Sequence, residues 1–194
     1  MPTTLNLTAE LERLIADIVA KSAEFSHIDP RRLLVCVNSS RNSTHGAFAK
    51  IHPLRFHGGE LTRVLKRGRS RIACIMPEVR HNGVEMLYVI YFTLPRFMDR
   101  PLLEKLVTIF HELYHISPAF DGDIRRFPGR NFAHGSSAKK YNLLMAGFVD
   151  KYLQLPSSRE LVAFLDGDMA ELRLKFRAIV GRKMTMPKIR VEKV

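Results

Sequence analysis

The sequence predicts an α+β fold: a small mixed or antiparallel sheet, a helix beside it that carries the candidate active site, and a helical C-terminal half. Three observations lead there. Short apolar, β-branched runs lie in the first half, "RRLLVCVNSS" (31–40), "RIACIMPEV" (71–79) and "EMLYVIYFTL" (85–94), each bounded by Pro, Asn, Gly or Asp. After Pro95 the apolar residues fall at helical spacing instead. Two capping-box patterns, Ser157 with Glu160 and Asp168 with Glu171, then precede the apolar runs "LVAFL" and "MAELRLKFRAIV".

Taken in order, residues 8–25 place Leu11, Leu14, Ile15, Ile18 and Val19 on one helical face, with Thr8 as the expected N-cap. The loosely alternating "THGAFAKIHPLRF" (44–56) supplies a further strand, which Pro53 restricts to an edge or a bulge. "RHNGVE" (80–85) carries an Asn-Gly pair, a short-range hairpin signal, so the runs at 71–79 and 85–94 are expected to be antiparallel neighbours. Asp99 is the expected N-cap of the next helix and Pro101 fits its first turn. Leu102, Leu106, Phe110 and Leu113 lie on its apolar face, and Pro118 marks its end. A loop of about fifteen residues follows, long enough to suggest a functional role. A helix is expected from near Ser136, with Phe148, Val149 and Tyr152 on its apolar side. The expected organisation is a single domain over 1–181 and a loose basic tail over 182–194.

The 194 residues are 46% hydrophobic and 26% charged, enough for a packed core and against global disorder. The longest apolar runs are too short to span a bilayer, and "MPTTLNLTAELERL" is no basic-then-apolar leader. A cytoplasmic location without a membrane partner is therefore expected. Cys36 and Cys74 sit in apolar strand-like runs, where a reduced thiol is the usual occupant, so any metal must rest on histidine. The net charge of +12 attracts polyanions and makes nucleic acid a candidate partner.

The chemistry concentrates in "TIFHELYHISPAFDGDIRRFPGRNFAHGSS" (108–137). Within a helix, His111 and His115 project from one face and can converge on one ion. Glu112, next to the first histidine, can reach a water held there without itself binding the metal. Zinc with three protein ligands keeps a place for water and lowers its pKa to about 7. Glu112 is then placed to accept that water's proton and hand it to a departing amine. The third ligand is read as His134, at the predicted start of the next helix, with Asp121 and Asp123 as competitors in a "PAFDGD" turn. Tyr141, seven residues beyond His134, falls on nearly the same helical face and is a candidate for steadying an oxyanion.

"HELYH" with the downstream "HGSSAKKY" resembles the zincin metallopeptidases. "FHELYHISPAFDGDIRRF" as a whole is most similar to the phage-type metallopeptidases and more distantly to the SprT-like proteins. The resemblance covers mainly residues 88–152. It implies zinc held by His111, His115 and His134, with Glu112 as the catalytic acid/base, in a small mixed fold with a sheet beside the helix. The segment between His115 and His134 departs from SprT-like spacing, and the chain has no C-terminal cysteine pairs for a zinc ribbon. The expected activity is zinc-dependent hydrolysis of a peptide or protein substrate. The alternative is a basic nucleic-acid-associated protein with a structural or inactive zinc site, its contacts made by "RVLKRGRSR" (63–71) and the basic tail. His45, His52, His57 and His81 lack ligand spacing and are read as surface or hydrogen-bonding residues.

Overall fold

The computed structural model describes residues 4–39, 46–127, 138–156 and 158–194. In chain order the elements are β1 (Thr4–Asn6), α1 (Leu7–Lys21), β2 (Leu33–Ser39), β3 (Ala49–Pro53), β4 (Thr62–Arg67), β5 (Ser70–Ile75), β6 (Arg80–His81), β7 (Val84–Glu85) and β8 (Tyr88–Leu94). There follow α2 (Leu102–Tyr114), α3 (Ala138–Leu153), α4 (Ser158–Val162), α5 (Met169–Lys175), β9 (Ala178–Val180) and β10 (Arg190–Lys193). This is the mixed α+β fold expected, with its helices concentrated in the C-terminal half.

The central sheet has the order β2-β8-β3, with β2 parallel and β3 antiparallel to β8. A central strand covered on both faces needs apolar side chains in both directions, which is why β8 reads as a nearly continuous apolar run. Tyr88, Ile90 and Phe92 face the main core, while Val89 and Tyr91 join a smaller cluster with Leu34, Cys36, Leu54 and Met86. Cys36 is buried and free, and Cys74 is free.

Helix α1 buries Leu11, Leu14, Ile15 and Ile18. Its N-cap is Asn6, whose side chain accepts the Ala9 N–H, rather than Thr8. The Thr8 hydroxyl instead donates to Asn6 Oδ1 and accepts the Arg182 N–H, so a tertiary contact has taken up that oxygen. Helix α2 buries Leu106, Ile109, Phe110 and Leu113. Each such burial contributes about 1.5–3 kcal/mol, more than an exposed ion pair, so packing holds this helix in place. Phe110 meets Phe25 edge-on at 5.5 Å, and Phe148 of α3 meets the same ring at 5.7 Å. Asp99 does not cap α2, which starts at Leu102 after Pro101; its carboxylate accepts the Met169 N–H of α5 instead. The Asp168–Glu171 capping box opens α5 as expected, and Ser157 of the other box lies outside the described residues.

The pairing of residues 71–79 with 85–94 is confined to its last step, where the Met86 N–H donates to the Val79 carbonyl. The Asn-Gly turn does close a hairpin, with Asn82 at φ 50° and Gly83 at φ 79°, but it joins only the two-residue strands β6 and β7. β5 pairs with β4 and β10, whereas β8 lies between β2 and β3. Pro77 lacks a ladder donor and parts β5 from the hairpin, and the two-sided apolar β8 is drawn into the core. β3 and β8 are thus antiparallel neighbours whose connection carries β4 to β7 as an excursion. The basic tail is not loose to its end: β10 pairs with β5 antiparallel, and Arg182 contacts Glu12 and the Val35 carbonyl. Among the described residues no helix is long and apolar enough to cross a membrane.

Candidate functional site

Helix α2 presents His111 and Glu112 in its last turn, and His115 caps it with helical dihedrals, its N–H bonded to the His111 carbonyl. One helical turn therefore separates the two imidazoles, and their Nε2 atoms come within 3.0 Å of each other, the rings nearly perpendicular at 78°. Two nitrogens on one tetrahedral zinc stand about 3.3 Å apart, given the usual Zn–N length, so this pair suits a shared ion. The donors are borderline nitrogen ligands beside a carboxylate, which also suits zinc.

Glu112 is buried at 7% exposure, and its Oε2 accepts the Ile51 N–H at 2.7 Å. Burial pushes the carboxyl up to about 7, against the opposing pull of the Ile51 N–H and of Lys50. A buried carboxyl without a donor would be costly, so the strand amide both orients it and limits the penalty. The amide is available because β3 is an edge strand: the Thr93 N–H donates to the Phe48 carbonyl, and from that pair the alternation turns the N–H groups of Ala49 and Ile51 away from β8.

The turn after α2 is tied down from several sides. Arg125 donates its backbone N–H to the His115 carbonyl and its Nε–H to the Tyr114 carbonyl, and its guanidinium lies 4.1 Å over the Tyr114 ring. The Tyr88 hydroxyl, buried under the turn, accepts the Gly122 N–H and donates to the Asp123 carbonyl. Gly122 has φ +88°, and a Cβ there would overlap the Arg55 side chain. Gly122→Ala is therefore expected to destabilise the protein by roughly 2–4 kcal/mol, through left-handed strain plus overpacking, seen as a lower midpoint in denaturant unfolding.

Asp123 is engaged elsewhere: Arg126 binds both its oxygens and His57 Nδ1 lies 3.2 Å from Oδ2. These donors hold its carboxyl below the usual range despite the burial that raises it. Asp121 Oδ1 accepts the Asp123 N–H, the Asx-type turn that the spacing suggested. Among the described residues no three His, Cys, Asp or Glu side chains gather as a metal site, so neither aspartate joins His111 and His115. His134 lies outside the described residues, as does His45.

Tyr141 of α3 packs on both histidines, its ring 4.9 Å from that of His111 and stacked at 27° on that of His115. Burial, with Glu112 and Tyr114 nearby, raises its phenol above the ordinary range. A cleft of about 550 Å³ opens beside His111 and Glu112, with Phe48, Ala49, Val107 and Asn142 in its lining. Sequence reasoning missed the Ile51 amide and Arg125. No local signal marks a backbone N–H 61 residues away from its acceptor, though Pro53 did point to an edge strand.

A convergent histidine pair and a buried carboxylate on one helix, set against a sheet edge and a cleft, is an arrangement of the metallopeptidase class. A family model described as "Putative phage metallopeptidase" matches residues 5–143, and the chain belongs to that family. Comparisons with curated proteins and with solved structures gave no match.

Proposed function

We propose that the protein is a zinc-dependent peptidase whose metal is held by His111, His115 and His134 and whose acid/base is Glu112, in a single catalytic domain of the cytoplasm. The observation that carries this reading is the meeting of the two Nε2 atoms next to a carboxylate that the Ile51 amide aims from a sheet edge. Zinc, when bound, lowers the pKa of water and polarises a carbonyl.

The residues of the chain supply the rest. Glu112 takes the proton of the attacking water and returns it to the leaving amine. Its Oε2 is fixed by the Ile51 N–H, which leaves Oε1 for that exchange. Among the described residues no strand pairs with the outer edge of β3 at Ala49, along the cleft, where an extended peptide can add as a further strand, so side-chain preference is broad. Tyr141 packs against both imidazole rings from one side. A non-peptide amide fits the same chemistry, but the edge strand beside the carboxylate favours a peptide.

The purified protein is expected to hold about one zinc per chain, with three histidine ligands and a place for water. Elemental analysis of wild type and His134→Ala tests the ligand set. Reduced zinc affinity is expected, and unchanged affinity transfers the third position to another residue.

A further inference from the structure

We propose that the small sheet β10-β5-β4 is a docking surface for the phosphate backbone of duplex nucleic acid. Two basic segments that lie more than a hundred residues apart in the chain meet in it: residues 63–71 and the C-terminal strand. Their register places Thr62 opposite Ile75, Lys66 opposite Arg71, and Arg190 opposite Ile75 from the other side. Directly paired residues share a face, so Lys66, Arg71 and Arg190 stand on one face and Arg63 and Lys193 on the other. Glu192 is the single acid on these strands.

The two outer strands of the sheet are bare. Residues 62–66 of β4 and all of β10 are exposed, on both faces. Several cations elsewhere are matched with carboxylates: Arg13 with Glu10, Arg32 and Arg55 with Glu85, Arg126 with Asp123, Arg182 with Glu12. Among the described residues Arg63, Lys66, Arg71, Arg190 and Lys193 form no such pair. Like charges directly opposite each other in a ladder, as Lys66 and Arg71 are, destabilise a sheet, and a polyanion between them relieves that cost.

The shape narrows the partner. β10 flanks β5 up to the Arg71 carbonyl, which accepts the Val194 N–H, and the β4–β5 hairpin tip, turned at Gly68 with φ +61°, is a narrow two-stranded ribbon. A two-stranded ribbon fits a groove about 12 Å wide, that of a duplex. Neither β4, β5 nor β10 carries Phe, Tyr or Trp, so the sheet lacks the stacking platform with which single strands are gripped. A second copy of the chain joining at the β4 edge would bring the same cations together and is disfavoured for that reason.

The test is the salt dependence of binding to a labelled 24-base-pair mixed-sequence DNA duplex, measured by fluorescence anisotropy. The variant R63Q/K66Q/R71Q/R190Q/K193Q is compared with a charge-matched control, K151Q/R159Q/R173Q/K175Q/R177Q. Circular dichroism and zinc content, which a folded sheet variant leaves unchanged, accompany both. The sheet variant is expected to flatten the slope of log affinity against log salt by about 2.7–4.5, since each lost phosphate contact removes about 0.9 and three cations share one face. The control is expected to keep most of the slope. Equal losses in the two variants, or no loss in the sheet variant, overturn the proposal. So does tighter binding of a single strand of equal length, or a sheet variant that loses phosphatidylserine vesicles while retaining the duplex. Should the five-fold variant unfold, K66Q/R71Q alone is expected to lower the slope by about 2.

Discussion

Glu112→Gln is expected to keep its fold and its zinc while peptide hydrolysis falls by about 10²–10⁴-fold, the usual contribution of a positioned acid/base. The amide has the shape of the carboxylate, and its oxygen can still accept the Ile51 N–H that now bonds to Oε2 at 2.7 Å. What it cannot do is take a proton from water. Because the carboxyl is buried, replacing it with a neutral group also removes a desolvation cost, so the variant should be no less stable than wild type. The measurement is turnover on a peptide that the wild type cleaves, with elemental analysis and a thermal melt on the same sample. Wild-type turnover in the variant would sink the assignment of Glu112. Lost turnover together with lost zinc would instead make the residue a metal-site component.

A stability effect as large as that of Gly122→Ala is expected at Lys105, about two helical turns before Glu112 on α2. Its side chain is 1% exposed, and its ammonium donates to the carbonyls of Leu165 and Gly167 at 2.8 and 2.6 Å. Burial lowers its pKa, while Asp166, Asp168, Asp99 and Glu171 pull the other way. Lys105→Met retains most of the stem's volume and leaves both carbonyls without this donor. A lost partner costs roughly 1–3 kcal/mol for each buried group, so a loss of about 2–4 kcal/mol is expected. For a chain of this size that corresponds to a melting point lower by roughly 5–15 °C. An unchanged midpoint in calorimetry would mean that water or a neighbour satisfies the carbonyls and that this brace between α2 and the turn before α5 is dispensable.

The two helices that mattered most were legible for a simple reason. In α2 the spacing of Leu106, Phe110 and Leu113, and of His111 and His115 beside them, depends only on the helical period, so the buried face and the converging imidazoles both follow from local sequence. The same holds for the Asp168–Glu171 capping box, a contact across three residues. Caps were misread where another part of the chain competed for the oxygen: Thr8 is engaged by Arg182, and Asp99 by Met169.

By itself, then, the sequence determined what short-range geometry controls: helices α1 and α2, strands β2 and β8, where the His-Glu-x-x-His pentad points, and the charge that the surface carries, whereas 178–180, read as the end of a helix, forms β9 beside β1. The tertiary structure alone decided which strands meet. Nothing local tells β5 to leave β8 for β4 and β10; the choice follows from burying β8 on both faces and from Pro77 interrupting the ladder. It also decided that the Ile51 amide reaches Glu112, that Asp123 turns to Arg126 and His57, and that the C-terminal cations join the β4–β5 ribbon. Such contacts join residues far apart in the chain, and their free energy is realised only when the whole core closes.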